Sequence, residues 1–228
     1  LVGSEMCIRD RDGDFDVSQT ISNAGSGNVT LFAGGDSSSD EIDITADVTA
    51  SGGDIEIVSF ADVDFNGSPT VSTSGAGTIE IHAGRVFNFG AALTMGDTEG
   101  DLFDAGEYTI QTADGDVTLT ATNDIELDTV NAGSGTVIVT ADSDTSGAGS
   151  IDDALTAETS NITAASTALR AATGIGSAED IDTNVSTITA TNSTNGNVQL
   201  DNENDLTIGT VDGLAGITNT GGQVTVSS

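Results

Sequence analysis

Apolar and polar residues alternate with a period of two in short segments that recur along the chain. The recurring unit is a heptapeptide, Gly-x-(Val/Ile)-x-(Leu/Ile/Val)-x-Ala, which is complete in some copies and lacks the final Ala in others. Such alternation is typical of a strand with one buried face. The copies begin at Gly27, Gly53, Gly77, Gly115, Gly135, Gly196 and Gly222.

The spacing of these copies predicts the fold. Successive copies start 26, 24, 38, 20, 61 and 26 residues apart, which is the period of a repeat protein rather than of separate globular domains. A second strand often follows the first, as at residues 41–46, and glycines at the corners are expected to supply positive φ. We therefore predict an all-β, parallel β-solenoid of about nine or ten coils. A tandem immunoglobulin-like array, the main rival, needs units near about 100 residues.

The alternation also predicts which side chains are buried. We expect the core to include Val29, Ile79, Val117 and Val137. We expect the outer surface to include Thr30, Glu80, Thr118 and His82. The stretch ITAASTALRAA at residues 162–172 is open to an Ala-rich helix as an alternative. Because it lacks a 3.6-residue apolar stripe, the pattern favours strands there.

The first eleven residues differ from the rest of the chain. They hold the single Cys, Cys7, and they match the in-frame translation of a transposase-type sequencing adapter. We expect residues 1–11 to be an artefactual segment that is disordered or packs without coil geometry. Residues 12–228 are predicted to form one continuous solenoid, and we expect both of its ends to lie within a longer protein.

Charge narrows the possible partners. The net charge is −33, with 4 basic residues against 37 acidic ones. Nucleic acids and anionic membranes bind mainly through Lys and Arg, so neither is an expected partner. No apolar run of about 18 residues is present, and insertion into a membrane is not expected. Cations and basic partners are electrostatically favoured.

Few residues are candidates for chemistry. His82 is the only histidine, so zinc ligation and a Ser-His-Asp triad find no sequence support. Acidic clusters are frequent, and solvated faces are their simplest interpretation. The alternative is weak calcium binding, and no other cofactor is expected. The candidate calcium ligands are Asp97, Glu99, Asp101, Asp142 and Asp144.

A family resemblance can be stated on these repeats. The segments GDVTLTATNDIEL and GTVIVTA, together with residues 169–209, resemble large bacterial surface proteins of the filamentous-haemagglutinin type. The resemblance covers residues 13–228. It implies a right-handed parallel β-helix, export to the cell surface or medium, and a role in adhesion or in presenting other domains.

The predicted function is a non-enzymatic structural or adhesive shaft of a bacterial cell-surface or secreted protein. Its partner would be a glycan or protein on a host or neighbouring cell, and the shaft itself would be a monomeric rod. Two alternatives stay open. One is a β-helix polysaccharide-degrading enzyme that uses pairs of Asp, and the other is a calcium-dependent binding module.

Overall fold

The protein is built from β-strands that pair in three long sheets. The computed structural model describes residues 5–10, 13–34, 40–86, 94–95, 100–104, 107–155 and 157–228. Within these ranges every regular element is a strand, and none is a helix. It follows that no described helix is long and apolar enough to cross a bilayer.

The first sheet has ten strands, and all of its pairs are parallel. Its strands are β1 (Met6–Asp10), β4 (Val29–Ala33), β7 (Ile55–Ser59), β10 (Ile79–His82), β15 (Val117–Thr120), β18 (Thr136–Thr140), β21 (Ser166–Ala171), β23 (Thr187–Asn192), β25 (Thr207–Ile208) and β28 (Ile217–Asn219).

The second and third sheets are parallel as well. The second consists of β2 (Phe15–Val17), β5 (Ile42–Ile44), β8 (Val63–Phe65), β13 (Leu102–Asp104), β16 (Ile125–Leu127) and β19 (Ile151–Asp153). The third consists of β3 (Ile21–Asn23), β6 (Val48–Ala50), β9 (Thr70–Thr73), β14 (Thr109–Gln111), β17 (Thr129–Asn131), β20 (Ile162–Thr163), β22 (Ile181–Asn184), β24 (Val198–Asn202) and β29 (Val224–Ser227).

Two small antiparallel pairs interrupt this pattern. They are β11 (Arg85–Val86) with β12 (Thr94–Met95), and β26 (Thr210–Val211) with β27 (Leu214–Ala215).

Up to β20 the chain visits the three sheets in a fixed order, and from β21 onwards it alternates between the first and the third. It runs from β4 in the first sheet to β5 in the second and β6 in the third, and then returns to the first sheet at β7, beside β4. Consecutive strands therefore lie in different sheets, and the parallel pairs join one turn of the chain to the next. This topology is consistent with the predicted β-solenoid, and it excludes a sandwich of consecutive hairpins.

The core is a set of stacked apolar rows. Val29 aligns with Ile55, Ile55 with Ile79, Ile79 with Val117, and Val117 with Val137. All five are completely buried, which confirms the predicted inward positions. Burying such a side chain contributes about 1.5–3 kcal/mol, so the rows provide most of the favourable free energy of folding.

From β1 to β20 each turn contains three strands rather than the predicted two, and the later turns have none in the second sheet. The additional strand is short and holds a single buried apolar residue in several turns, such as Val71 in β9 and Val130 in β17. A three-residue segment with one apolar position is too short for period-two alternation to stand out. The sequence signal for this third strand is a short segment with one apolar residue that recurs just before the Gly-x-Gly corner.

The heptapeptide changes sheet towards the end of the chain. The copies at Gly27, Gly53 and Gly77 form strands of the first sheet, whereas the copies at Gly196 and Gly222 form β24 and β29 of the third. In the first sheet their places are taken by β21, β23 and β25. Residues 162–172 therefore contain the strands β20 and β21, as their pattern favoured, and the helix alternative is wrong.

Most of the repeat glycines are required by close packing rather than by positive φ. A Cβ on Gly115 would lie 2.0 Å from the carbonyl oxygen of Gly77, one turn away. Neither glycine has a positive φ, although Gly75 and Gly133, two residues before a repeat glycine, do. The expectation that the repeat glycine itself supplies positive φ holds at Gly196 but is wrong at Gly77 and Gly115, where the neighbouring backbone leaves no room for a side chain.

The adapter-like segment takes part in the fold. β1 pairs in parallel with β4, and Ile8 aligns with Leu31 and packs against the core. The expectation that this segment lacks coil geometry is wrong for residues 6–10. The physical reason is that an open sheet edge presents unpaired N–H and C=O groups, and a segment with alternating apolar residues can pair with it.

Candidate functional site

Acidic side chains line the outer surface of the second sheet, and we call this surface the acidic face. Two rows follow from the strand register, because residues before and within each strand align from turn to turn. The first row is Asp14, Glu41, Asp62, Asp101 and Asp124. The second row includes Asp16, Asp43, Asp64, Glu126 and Asp152.

Carboxylates of the first row accept hydrogen bonds from the backbone of the next turn. The N–H of Asp101 donates to Asp62 Oδ1 at 2.9 Å, and the N–H of Asp124 donates to Asp101 Oδ1 at 2.7 Å. Asp124 in turn accepts from the N–H and the hydroxyl of Ser150. These carboxylates therefore satisfy corner N–H groups that the strand ladders leave unpaired, which is a structural role.

Crowding of like charge is strongest at the middle of the acidic face. Removal from water, followed by repulsion from Glu41 and Asp62, raises the pKa of Asp64 to about 6. Burial also raises the pKa of Asp101 to about 6, although the hydrogen bond from Asp124 opposes this. These carboxylates carry an electrostatic cost at neutral pH, and a bound cation or proton would relieve it.

The calcium candidates that the structure describes, Asp101, Asp142 and Asp144, do not form one group of ligands. Asp97 and Glu99 lie outside the described residues. Asp142 Oδ1 accepts hydrogen bonds from Ser146 Oγ and the N–H of Gly147, and Asp144 accepts from the N–H of Ser146. Asp142 and Asp144 thus shape one corner loop. Neither they nor Asp101 belong to a group of three potential ligands in the part of the chain that is described.

A different acidic cluster forms between β22 and β24. Carboxylate oxygens of Asp180, Asp182 and Asp201 lie within 4.8 Å of one another. Asp182 and Asp201 align in the strand register, and with Glu158 and Glu203 they line a cavity of about 390 Å³. Desolvation, followed by repulsion from Glu158, raises the pKa of Asp182 to about 6.

This acidic groove can hold a cation or position a protonated and an ionised carboxylate side by side. Exposed acidic groups often lie this close without an ion, so the cluster alone assigns no metal. None of these residues is among the five calcium candidates predicted from the sequence. The available signal was that the acid-x-acid spacing of Asp201 and Glu203 also occurs 21 residues earlier. The register nevertheless pairs Asp182, and not Asp180, with Asp201.

Arg85 and Arg170 lie away from this groove. Arg170 donates to Asp212 Oδ2 at 2.8 Å across the outer surface of the first sheet. Arg85 donates to the carbonyl oxygen of Ser143 at 3.5 Å. Neither guanidinium lines the acidic groove, so neither is placed to bind an anionic substrate there.

His82 is not where the sequence predicts it. It points away from the core, as its alternation with Ile79 and Ile81 requires, but it is only 7% exposed. Its Nε2 lies 3.6 Å from Glu80 Oε2. Of the four residues that we expected on the outer surface, Glu80 is exposed and Thr30 and Thr118 are half-buried. Only His82 is buried, so the expected exposure is clearly wrong for this residue. Alternation reports the side of a sheet, not whether that side is covered.

Comparisons with known proteins identify no relative. No protein-family model, no curated protein and no solved structure matches the chain.

Proposed function

We propose that this chain forms a right-handed, closed solenoid that acts as a non-catalytic shaft of an extracellular bacterial surface protein. The observation that supports this most is the unbroken parallel pairing of the first sheet from β1 to β25. Sheets that extend by one strand per turn produce a rod whose length grows with the number of turns. Nine strands at a spacing of about 4.8 Å give a rod about 40 Å long.

The distribution of acids supports a structural rather than a catalytic role. Asp62, Asp101 and Asp124 each accept a hydrogen bond from the backbone of the following turn. Catalytic β-helices concentrate distinctive side chains in one groove, whereas acids here line a whole face. In this proposal the shaft presents an adhesive or distal region to a glycan or protein on another cell, and basic partner surfaces are favoured by charge.

One observation favours a polysaccharide-degrading enzyme as the second candidate. Asp182 and Asp201 lie side by side in the acidic groove, and a pair of carboxylates is sufficient for glycoside hydrolysis. The raised pKa of Asp182, about 6, suits a general acid. The absence of basic groups from the lining of the groove weighs against acidic polysaccharides as substrates.

Incubation of the chain with neutral and acidic polysaccharides distinguishes the two candidates. Reducing ends, and the absorbance of unsaturated products, are measured over a day. The shaft proposal expects no turnover above a heat-unfolded control. Turnover that disappears in Asp182→Asn or Asp201→Asn, but persists in the matched variant Asp205→Asn, with circular dichroism unchanged, would overturn it.

A further inference from the structure

His82 is a buried polar side chain with no partner that satisfies it. It is the only histidine of the chain and is 7% exposed. Neither Nδ1 nor Nε2 has a hydrogen-bond partner among the described residues. An unsatisfied buried polar group costs about 1–3 kcal/mol, so such groups often mark the place of an ion or ligand.

Two carboxylates face the same place. Glu80 Oε2 lies 3.6 Å from His82 Nε2, which is longer than a hydrogen bond. Glu56 is aligned with Glu80 on the neighbouring strand. The side chain of Glu80 is 51% exposed, so the pair opens to solvent on the side of its carboxylate. Burial and repulsion from Glu80 raise the pKa of Glu56, and the imidazole of His82 opposes this rise.

The separation of the two side chains fits a shared metal ion. Zinc binds imidazole nitrogen and carboxylate oxygen at about 2.0–2.2 Å. Two such ligands 3.6 Å apart subtend an angle of about 120° at the ion, which lies close to tetrahedral geometry. The present positions of Nε2 and Oε2 therefore require little movement to admit zinc between them.

We propose that His82, Glu80 and Glu56 form a binding site for a divalent transition-metal ion of the zinc class. The imidazole selects such an ion over calcium and magnesium, which prefer oxygen ligands. The carboxylate of Glu56 lies too far from the other two ligands to form a group of three within 4.8 Å in the part of the chain that is described. In this proposal Glu56 therefore changes its side-chain rotamer to reach the ion. Water completes the coordination on the exposed side.

The single histidine makes the test direct. A tag-free, ¹⁵N-labelled chain carrying Cys7→Ser, which removes the exposed thiol, is titrated with zinc chloride at pH 7.5. Long-range ¹H–¹⁵N spectra then report one imidazole. We expect its Nε2 signal to shift and to saturate at one equivalent of zinc, and we expect no such shift with calcium or magnesium at the same concentration.

Variants distinguish a metal site from general attraction of cations to an acidic surface. Glu80→Gln is expected to weaken zinc binding at least about tenfold, because even the loss of a residue that only hydrogen-bonds to a metal ligand has an effect of this size. Glu56→Gln is expected to weaken zinc binding less. Glu107→Gln removes the same charge at an exposed position and serves as the matched control. His82→Asn should abolish the heat of zinc binding that calorimetry measures at this site, and it should leave the circular-dichroism spectrum unchanged.

Three results would overturn the proposal. One is an imidazole signal that several equivalents of zinc leave unchanged. Another is equal zinc affinity in Glu80→Gln and Glu107→Gln. The third is an imidazole that responds to pH and to Glu80→Gln but not to zinc, which would identify the pair as a proton-linked ion pair instead.

Discussion

The outer surfaces of the first and second sheets are both formed by the residues that alternate with the core positions. They differ in residue type and in burial. On the first sheet, Phe32, Val58 and His82 form an aligned row and are buried. On the second, Asp43 and Asp64 are aligned and remain half-exposed. Alternation with a period of two therefore predicts which side chains point away from the core, but it does not predict whether other residues cover them.

The covering of the first sheet is local. The ring of Phe32 lies under the guanidinium of Arg9, 4.7 Å from the ring centre, and packs against the backbone of Gly34. A Cβ on Gly34 would lie 2.3 Å from that ring. Further along the same row Thr120 and Thr140 are half-buried. The first sheet therefore changes from a covered to an open outer surface along its length.

The largest effect is expected from placing a charge on the covered surface. Val58→Asp buries an unpaired carboxylate and is expected to lower the free energy of unfolding by about 3 kcal/mol or more. The matched variant Thr140→Asp, on the open part of the same surface beside Arg170, is expected to change it by less than about 1 kcal/mol. Urea unfolding followed by circular dichroism measures both. Equal destabilisation would remove the distinction between covered and open parts.

A smaller effect is expected from the capping carboxylates of the acidic face. Asp124→Ala removes the acceptor for the N–H and hydroxyl of Ser150 and is expected to cost about 1–2 kcal/mol. Asp124→Asn keeps an acceptor oxygen and should retain most of the stability, as Asn28 does when it accepts from the N–H of Asp54. The exposed Asp205→Ala is the control for loss of charge. An alanine variant as stable as the control would contradict the capping role.

The smallest effect is expected from the crowded carboxylate Asp64. Because its pKa rises to about 6 on folding, from about 4 in the unfolded chain, the folded state holds the proton more tightly. The stability that this proton provides is complete below about pH 4 and is lost as the pH rises through 6. Asp64→Asn should therefore melt about 2 °C above the wild type at pH 7.5. The difference should shrink at pH 4.5.

The exposed variant Asp205→Asn is the control for this pH comparison. Scanning calorimetry at both pH values gives the melting temperatures. If Asp64→Asn melted at or below the wild type at pH 7.5, the ionised carboxylate of Asp64 would not carry the cost that burial and its acidic neighbours impose.

The sequence predicts the strands that alternate over five residues and misses what depends on neighbouring turns. Val29 and Val117 are buried as expected because their own segments repeat the apolar pattern. The third strand of each turn escapes notice because segments such as Thr129–Asn131 hold one apolar residue. The heptapeptide of β24 lacks the final Ala, but so does the copy at Gly53 in the first sheet, so this difference alone does not predict the change of sheet.

The candidate sites show the same limit. Asp182 and Asp201 meet only because the register aligns β22 with β24, and no local pattern encodes that register. The pairing of His82 with Glu80 was within reach of the sequence, since the two residues lie on the same side of one strand. The burial of His82 was not, because it depends on surroundings outside its own segment.

The central claim is that successive turns stack in parallel and in register. Ser22, Thr49, Ser72, Gln111, Asn131 and Thr163 form one continuous row of the third sheet. Five steps of about 4.8 Å place Thr163 about 24 Å from Ser22, although 141 residues separate them in sequence. Spin labels at Ser22→Cys and Thr163→Cys, in a Cys7→Ser background, make this distance measurable by double electron–electron resonance.

A second pair, Ser22→Cys with Asn184→Cys, extends the row by one step and serves as an internal ruler. The account predicts narrow distributions centred near 24 and 29 Å, so that the second pair is longer by one strand spacing, about 4.8 Å. Broad distributions, or a second distance that is not longer than the first, would contradict the stacked solenoid.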